Sequence, residues 1–533
     1  MFERARRFYR SGAFRALGIV ALICALAYAG WHPYQVISVP YELAFDDAYM
    51  FARYADNLLS GNGFVWNPGE RAAGCTSLAY GLFMALARYM AGGGVSNSSL
   101  LVASSFLWGM ISLLLIYMAL SRIAPGHRPL MMVLVACIAV TPLFLRNTMT
   151  GMDTMMAVSA NALLVLLLVM WQGRPLGMAR ICALALAGWL AYFVRPDSGL
   201  HALLLPPLFL LYRGQGRKAI ASYMAMLSML LGADTLARLS YFGTALPLSY
   251  YVKKQGFYAG YAGAYQWNSL GYLFGFLMYF GLLLVPVLLM AGRRRLMAAG
   301  AFALPVALTS AYLMGFLHIM GYESRLFMPS MPVLLVGSVY ALAASGEGVR
   351  FRARNILYAA AFALLLLGIY AGAGRYLAAG QEAARQIYQR HGAGMPAPAP
   401  GCRRLSPHQA IRAFDYIVKL MPPGLSVAAS EHGYIAAHNR GTRILDLMGL
   451  HDRRLALEGY SDEVLEEAAP DIIWMPHEDY TALREKMVQG RYFRENYTLI
   501  PGALAHGVAL KDDSPLLGQG QRALIREVLG CGP

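Results

Sequence analysis

The chain has 533 residues, of which 58% are hydrophobic and only 14% charged, and its mean hydropathy is +0.46. A soluble chain carries about a quarter of its residues as charges. This composition therefore excludes soluble multidomain, disordered, collagenous and small disulfide-scaffold classes, and describes a polytopic membrane protein. The net charge of +16 does not point to nucleic acid, because eighteen of the 45 Lys and Arg residues lie in short gaps between apolar runs. Those gaps hold Arg4–Arg15, Arg122–Arg128, Arg174–Arg180, Arg213–Lys218, Arg293–Arg295 and Arg350–Arg354, with only Glu3 and Glu347 as acids in or beside them, so the rest of the chain is electrically neutral. Cytoplasmic loops retain Lys and Arg, which makes this pattern a topology signal.

A span needs about 20 mostly apolar residues. The first is predicted at 15–33, with the N-terminus cytoplasmic. Ala25-Leu26-Ala27 resembles a signal-peptide cleavage site, but the apolar run continues to Trp31 and favours a retained anchor. The first outer loop, 34–98, holds an amphipathic helix over Asp46–Gly61 and a short apolar stretch at 76–91 that is expected to lie on the membrane. Further spans are predicted at 99–120, 130–146, 154–171, 179–194, 199–212, 219–241, 270–291, 296–318, 327–345 and 355–375, about eleven in all. Beyond Arg375 the chain becomes charged. A linker is expected over 376–400, containing Pro396-Ala397-Pro398-Ala399-Pro400, followed by a periplasmic α/β domain over 401–533. Its β-like runs are Leu425–Ala429, Thr442–Leu447, Asp471–Met475 and Val508–Lys511, and Cys402 and Cys531, which bracket it, are candidates for a disulfide. The expected fold class is thus an α-helical polytopic membrane protein, with a transmembrane part over 1–375 and an α/β domain on the outer face.

Every outer loop in this topology carries ionisable residues: Asp46, Asp47, Asp56 and Glu70; Arg146 and Asp153; Arg195 and Asp197; Lys253 and Lys254; Glu323 and Arg325. Charges at the edge of hydrocarbon are costly and tend to face a cavity or one another, so a shared outer cavity is expected. Asp46 and Asp47 begin the amphipathic helix. Adjacent helical residues do not share a face, and one of the two has a bland reading as the cap of that helix. Asp197 can pair with Arg195, and Glu323 with Arg325. Glu70 falls in the Asn67-Pro68-Gly69-Glu70 turn and reads as structural. Tyr250, Tyr251, Phe257, Tyr258, Tyr261, Tyr265 and Trp267 form an aromatic loop, read mainly as an interfacial belt. His318 sits at a span end, and a fold role is expected for His432.

Several motifs occur in order: Phe45-Asp46-Asp47-Ala48-Tyr49, Gly61-Asn62-Gly63-Phe64-Val65-Trp66-Asn67-Pro68-Gly69-Glu70, Gly74-Cys75-Thr76-Ser77, Thr150-Gly151-Met152-Asp153-Thr154, Val194-Arg195-Pro196-Asp197 and Tyr241-Phe242-Gly243 with Leu246-Pro247 and Tyr250-Tyr251-Val252-Lys253. Glu323-Ser324-Arg325-Leu326-Phe327-Met328-Pro329 and Asp446-Leu447-Met448-Gly449-Leu450 follow. Together they resemble the GT-C membrane glycosyltransferases, in particular the terminal arabinofuranosyltransferases of mycobacterial cell walls and related pilin arabinosyltransferases. Cys75 stands where that family usually has Tyr, and Asp153 where it usually has Glu.

The resemblance implies a polyprenyl-phosphate sugar donor and transfer of the sugar, arabinofuranose, to an extracytoplasmic glycan or pilin acceptor at the bacterial inner membrane. A lipid donor agrees with the lack of a Walker or Rossmann motif. On chemistry, Asp46 or Asp47 is the candidate catalytic carboxylate, as general base in an inverting route or nucleophile in a retaining one. Arg195, Lys253 and Arg325, with Lys254 behind them, are candidates for the donor phosphate. Asp153, Asp197, Glu323, Tyr251 and His318 are candidate supporting residues, and the outer acids are a candidate site for one divalent cation. Two other classes compete: a transporter or flippase for a lipid-linked sugar, and a non-catalytic envelope assembly protein.

Overall fold

A helix that is apolar on all sides leaves no face for water. Among the described residues five such helices are long and apolar enough to cross a membrane: Asn97–Ile123, Thr154–Trp171, Arg217–Phe242, Arg293–Met314 and the stretch Tyr322–Ala343. They define a helical membrane protein. The computed structural model describes residues 12–38, 45–254, 262–281, 293–315, 322–343, 407–476, 480–501, 504 and 507–530. The predicted spans at 99–120, 154–171, 219–241, 296–318 and 327–345 fall on the five long helices. The predicted span at 355–375, the linker, His318 and the Cys402–Cys531 pair lie outside the described residues.

One predicted span is interrupted. Within 130–146 a helix runs only over Arg128–Ala139, and a second begins at Pro142 and ends at Asn147. The Thr141 side chain accepts from the Phe144 backbone N–H, and Pro142 occupies the first helical position, where its missing N–H costs nothing. Hydropathy alone reads through this break. The stretch at 76–91 forms helix Leu78–Ala91, roughly 21 Å long at the usual rise and so shorter than a bilayer core. Its Ala79, Tyr80, Met84 and Ala85 are buried, whereas Leu82, Leu86, Tyr89 and Met90 are exposed in one row.

The chain divides into two compact units, each assembled from separated stretches. The first comprises 1–42, 98–234 and 267–381. In it, helix Gly12–Ser38 packs on Arg128–Ala139, and Met331–Ala343 packs on both Arg293–Met314 and Thr154–Trp171. Phe209, Phe302 and Tyr340 meet in a triangle with ring centroids 5.4–5.6 Å apart. Gly337 permits this approach, since a Cβ there would stand 2.4 Å from the Phe302 Cβ. Gly337→Ala is expected to destabilise this unit by about 1–3 kcal/mol through overpacking. Gly300→Ala, where an added Cβ would meet open space, is the matched control. The unfolding temperatures of the two detergent-purified variants check the difference.

The second unit comprises 43–97, 235–266 and 382–533. Its centre is a five-stranded sheet of β1 (Ser426–Ala429), β2 (Arg443–Asp446), β3 (Ile472–Trp474), β4 (Tyr497–Ile500) and β5 (Val508–Lys511), in the order β2-β1-β3-β5-β4. β1 pairs in parallel with β2 and β3, while β5 pairs antiparallel with β3 and β4. The inner strands are apolar on both faces, with Val427, Ala428, Ile472 and Ile473 fully buried. The four β-like runs read from sequence contain β1, β2, β3 and β5. β4 follows helix Arg491–Asn496 without a turn signal and was not predicted.

Candidate functional site

In the second unit the amphipathic helix expected over Asp46–Gly61 runs over Asp47–Leu59. It lies along the short helix Gly433–His438, which follows β1. Asp46 does not cap its own helix; no side-chain capping bond is made there. Its carboxylate instead accepts from the backbone N–H groups of Gly433, at 2.6 Å, and Tyr434, at 2.7 Å. The expected cap of its own helix is therefore not made by Asp46; the helix it caps is a different one. Seven residues later, Arg53 reaches the other end of that helix. Its guanidinium donates to the carbonyls of Ala436, Asn439, Arg440 and Thr442 at 2.9–3.1 Å, and to Trp66 O at 3.0 Å. An acid at the N-terminus and a base at the C-terminus both complement the helix dipole. Gly433 sits so close that a Cβ would stand 2.2 Å from the Asp46 carbonyl oxygen. Gly433→Ala is accordingly expected to push the Asp46 carboxylate off its two N–H donors, lowering the unfolding temperature and the yield of folded protein.

The rest of the first loop is joined to β2. The Asn67 side chain accepts from Ile444 N and donates to Ile444 O, as a neighbouring strand would, and Trp66 Nε1 donates to the same carbonyl. Glu70 pairs with Arg443 at 2.8 Å, in keeping with a structural role. Phe64 N donates to Tyr241 Oη, and Leu248 N to Ala73 O, so the Tyr241–Pro247 motif packs on the first loop. Tyr251 is half-buried, edge-to-face with Tyr250 at 5.7 Å. Lys253 and Lys254 end helix Leu248–Lys254, and their side chains lie outside the described residues.

Behind Asp46 lies a buried polar cluster. Asp446, at the end of β2, accepts from the backbone N–H groups of Met448 and His451 at 2.8 Å each. His432 Nε2 stands 3.6 Å from Asp446 Oδ2. His451 is stacked on Trp66, with centroids 4.0 Å apart, and its Nδ1 is 3.0 Å from Tyr54 Oη. Its Nε2 lies 2.6 Å from Met50 Sδ. Burial opposes the charged form of His432, but the adjacent Asp446 and Asp46 carboxylates outweigh it and hold the imidazole above its ordinary pKa. Burial, reinforced by His432, drives His451 well below its ordinary value. Burial also raises the Asp46 carboxyl, against the pull of His432 and the two N–H donors. Asp47, next to this cluster in sequence, is half-buried.

The first unit gathers a second set. Arg195 binds Asp197 through two parallel bonds of 3.1 and 2.7 Å and reaches Asp153 at 3.4 Å. The expected Arg195–Asp197 pair is present, with Asp153 as a third member. Glu323 does not pair with Arg325 as expected; it binds Arg146 at 2.5 Å, while Asn147 Nδ2 donates to its carbonyl. The reason is local backbone: Glu323 and Ser324 both have positive φ, at 56° and 52°, which turns the Glu323 side chain away from that of Arg325. Two consecutive non-glycine residues in this region cost on the order of 1–3 kcal/mol each. Arg325 is buried, at 7% exposure, and near enough to Asp153 to stabilise its carboxylate.

The structure thus brings the candidate residues together in two sets, one in each unit. Sequence reasoning missed Arg53, Tyr54 and His451. Arg53 carries a signal in its two-turn spacing from Asp46, and His451 directly follows the Asp446–Leu450 motif. Tyr54 carries none.

No family model matches the chain. Among curated proteins it is similar to the terminal beta-(1->2)-arabinofuranosyltransferase of Mycobacterium tuberculosis, 26% identical over 225 residues. The match covers 40% of this chain and 32% of that protein, so the chain spans about a third of the relative's length. The fold is that of a helical membrane protein. The chain is distantly related to a glycosyltransferase.

Proposed function

We propose that this protein is a membrane glycosyltransferase that moves a sugar, arabinofuranose, from a polyprenyl-phosphate donor to a glycan or pilin acceptor outside the cytoplasm. The Asp46-Asp47 pair carries this reading. Both oxygens of Asp46 are occupied by backbone N–H groups of helix Gly433–His438, so we assign Asp46 the positioning role and its neighbour Asp47 that of the reacting carboxylate. In the reaction the acceptor oxygen bonds to the anomeric carbon, the carbon–oxygen bond to phosphate breaks, and the polyprenyl phosphate departs with added negative charge. Asp47 takes the acceptor hydroxyl's proton.

Cations are needed where that charge develops. Arg195 is already neutralised by Asp197 and Asp153, so it orders the loops and is a weaker phosphate ligand than its sequence position implied. Arg325 and Lys253 are the cations proposed to bind the donor phosphate, with Lys254, next to Lys253 in sequence, as a weaker candidate. Loss of a charge-assisted hydrogen bond costs about 1.5–3 kcal/mol. Arg325→Gln is therefore expected to raise the KM for the donor by about 10- to 100-fold. Arg325→Lys restores part of that loss. Membranes supplied with radiolabelled polyprenyl-phosphate arabinose, with glycan or pilin acceptor in turn, provide the assay. Transfer to neither acceptor would overturn the reading.

A further inference from the structure

Apart from the proposed sugar transfer, and independently of it, the buried cluster behind Asp46 has the composition of a metal centre. His432, Asp446 and His451 each offer a ligand atom, and the three atoms lie within 4.8 Å of one another. All three side chains are nearly inaccessible, at 1–3% exposure. His432 Nδ1 is 3.0 Å from the Ser430 carbonyl, which can only accept, so that nitrogen carries the hydrogen. In the neutral ring Nε2 then presents a lone pair, and what it faces is another acceptor, Asp446 Oδ2 at 3.6 Å. His432 Nε2 is buried and has no hydrogen-bond partner among the described residues. Two acceptors turned toward each other repel unless a proton on Nε2 or a metal ion lies between them.

We propose that His432, Asp446 and His451 bind a zinc ion. Two imidazoles and one carboxylate are a donor set that zinc accepts in four-coordinate sites. The surrounding groups are those that orient such ligands. Ser430 O holds the His432 ring, Tyr54 Oη meets His451 Nδ1, and the Met448 and His451 N–H groups fix the Asp446 carboxylate. Zinc bonds of about 2.0–2.1 Å put neighbouring donors about 3.3 Å apart, so side-chain movements of about 1 Å close the site. Asp446 supplies one negative charge, and Asp46, close enough to act on His432, supplies a second, which neutralises the ion inside the unit. The ligands lie on segments flanking β1 and β2, and the metal would pin the end of β2 to the start of helix Gly433–His438.

The test uses the full chain purified in detergent, stripped with a chelator, incubated with zinc sulfate and desalted. Metal content is then measured by mass spectrometry. One equivalent of zinc in the wild type and less than a tenth of that in His432→Gln is the expected result. Because that variant can lose structure, the wild type supplies a second measurement. Its unfolding temperature should fall on chelation and recover with zinc, and cobalt loading should give the intense visible bands of a four-coordinate site. If the wild type retains no zinc and chelation leaves its unfolding unchanged, the proposal is overturned, and the cluster is a buried imidazolium–carboxylate pair. Equal zinc retention by His432→Gln overturns it as well.

Discussion

Asp47→Asn is expected to reduce sugar transfer by at least about 100-fold, the usual contribution of a positioned general base, with protein level and unfolding temperature unchanged. Asp46→Asn should behave differently. The amide offers one acceptor where two N–H donors wait, those of Gly433 and Tyr434, and turns its own N–H₂ toward the other. Losing a charge-assisted bond and leaving a buried donor unpaired costs about 1.5–3 kcal/mol, so this variant should be less stable and less active in proportion. Parallel measurement of transfer and unfolding separates the two. Inactive but fully stable Asp46→Asn beside an active Asp47→Asn would reverse the assignment.

Arg53→Met is expected to have the largest effect on stability. The side chain is 1% exposed and its guanidinium serves five carbonyls. Methionine fills much of the volume but removes that donor from all five; Trp66 O and Asn439 O keep one from Asn57 Nδ2 and Thr442 N, and the loss at the others is about 1–3 kcal/mol for each that water cannot reach. Even if most are reached by water, a loss of about 4 kcal/mol follows. In a unit of this size that lowers the unfolding temperature by roughly 8–16 °C. Arg53→Lys should recover little, since one ammonium cannot reproduce the planar fork. A thermal unfolding series on purified protein decides the matter, and a shift under about 2 °C for Arg53→Met would refute the bonding described.

What the sequence made legible depended on the range of the interactions. Apolar runs such as 154–171 and the four strand runs of the α/β segment are local patterns, and they fall on helices and strands. The break at Thr141-Pro142 is also local, but hydropathy averages over it. The Arg195–Asp197 pair was readable because its members are two residues apart. Glu323 was misassigned to Arg325 by the same logic, because a left-handed backbone turns it toward Arg146 instead. The Asp46 and Arg53 contacts could be read only in part. A charge at a helix start suggests a cap, but nothing local indicates that the capped helix begins at Gly433.

That distance has a consequence during synthesis. The donors to Asp46 are 387 and 388 positions downstream, and ribosomes add roughly 5–20 residues per second. The emerging first loop therefore waits roughly 20–80 s, its acid and its arginine solvated, until Gly433 and Tyr434 are translated. A nascent chain cut short by a premature stop would present this unfinished surface indefinitely, and cellular proteases would have a reason to remove it.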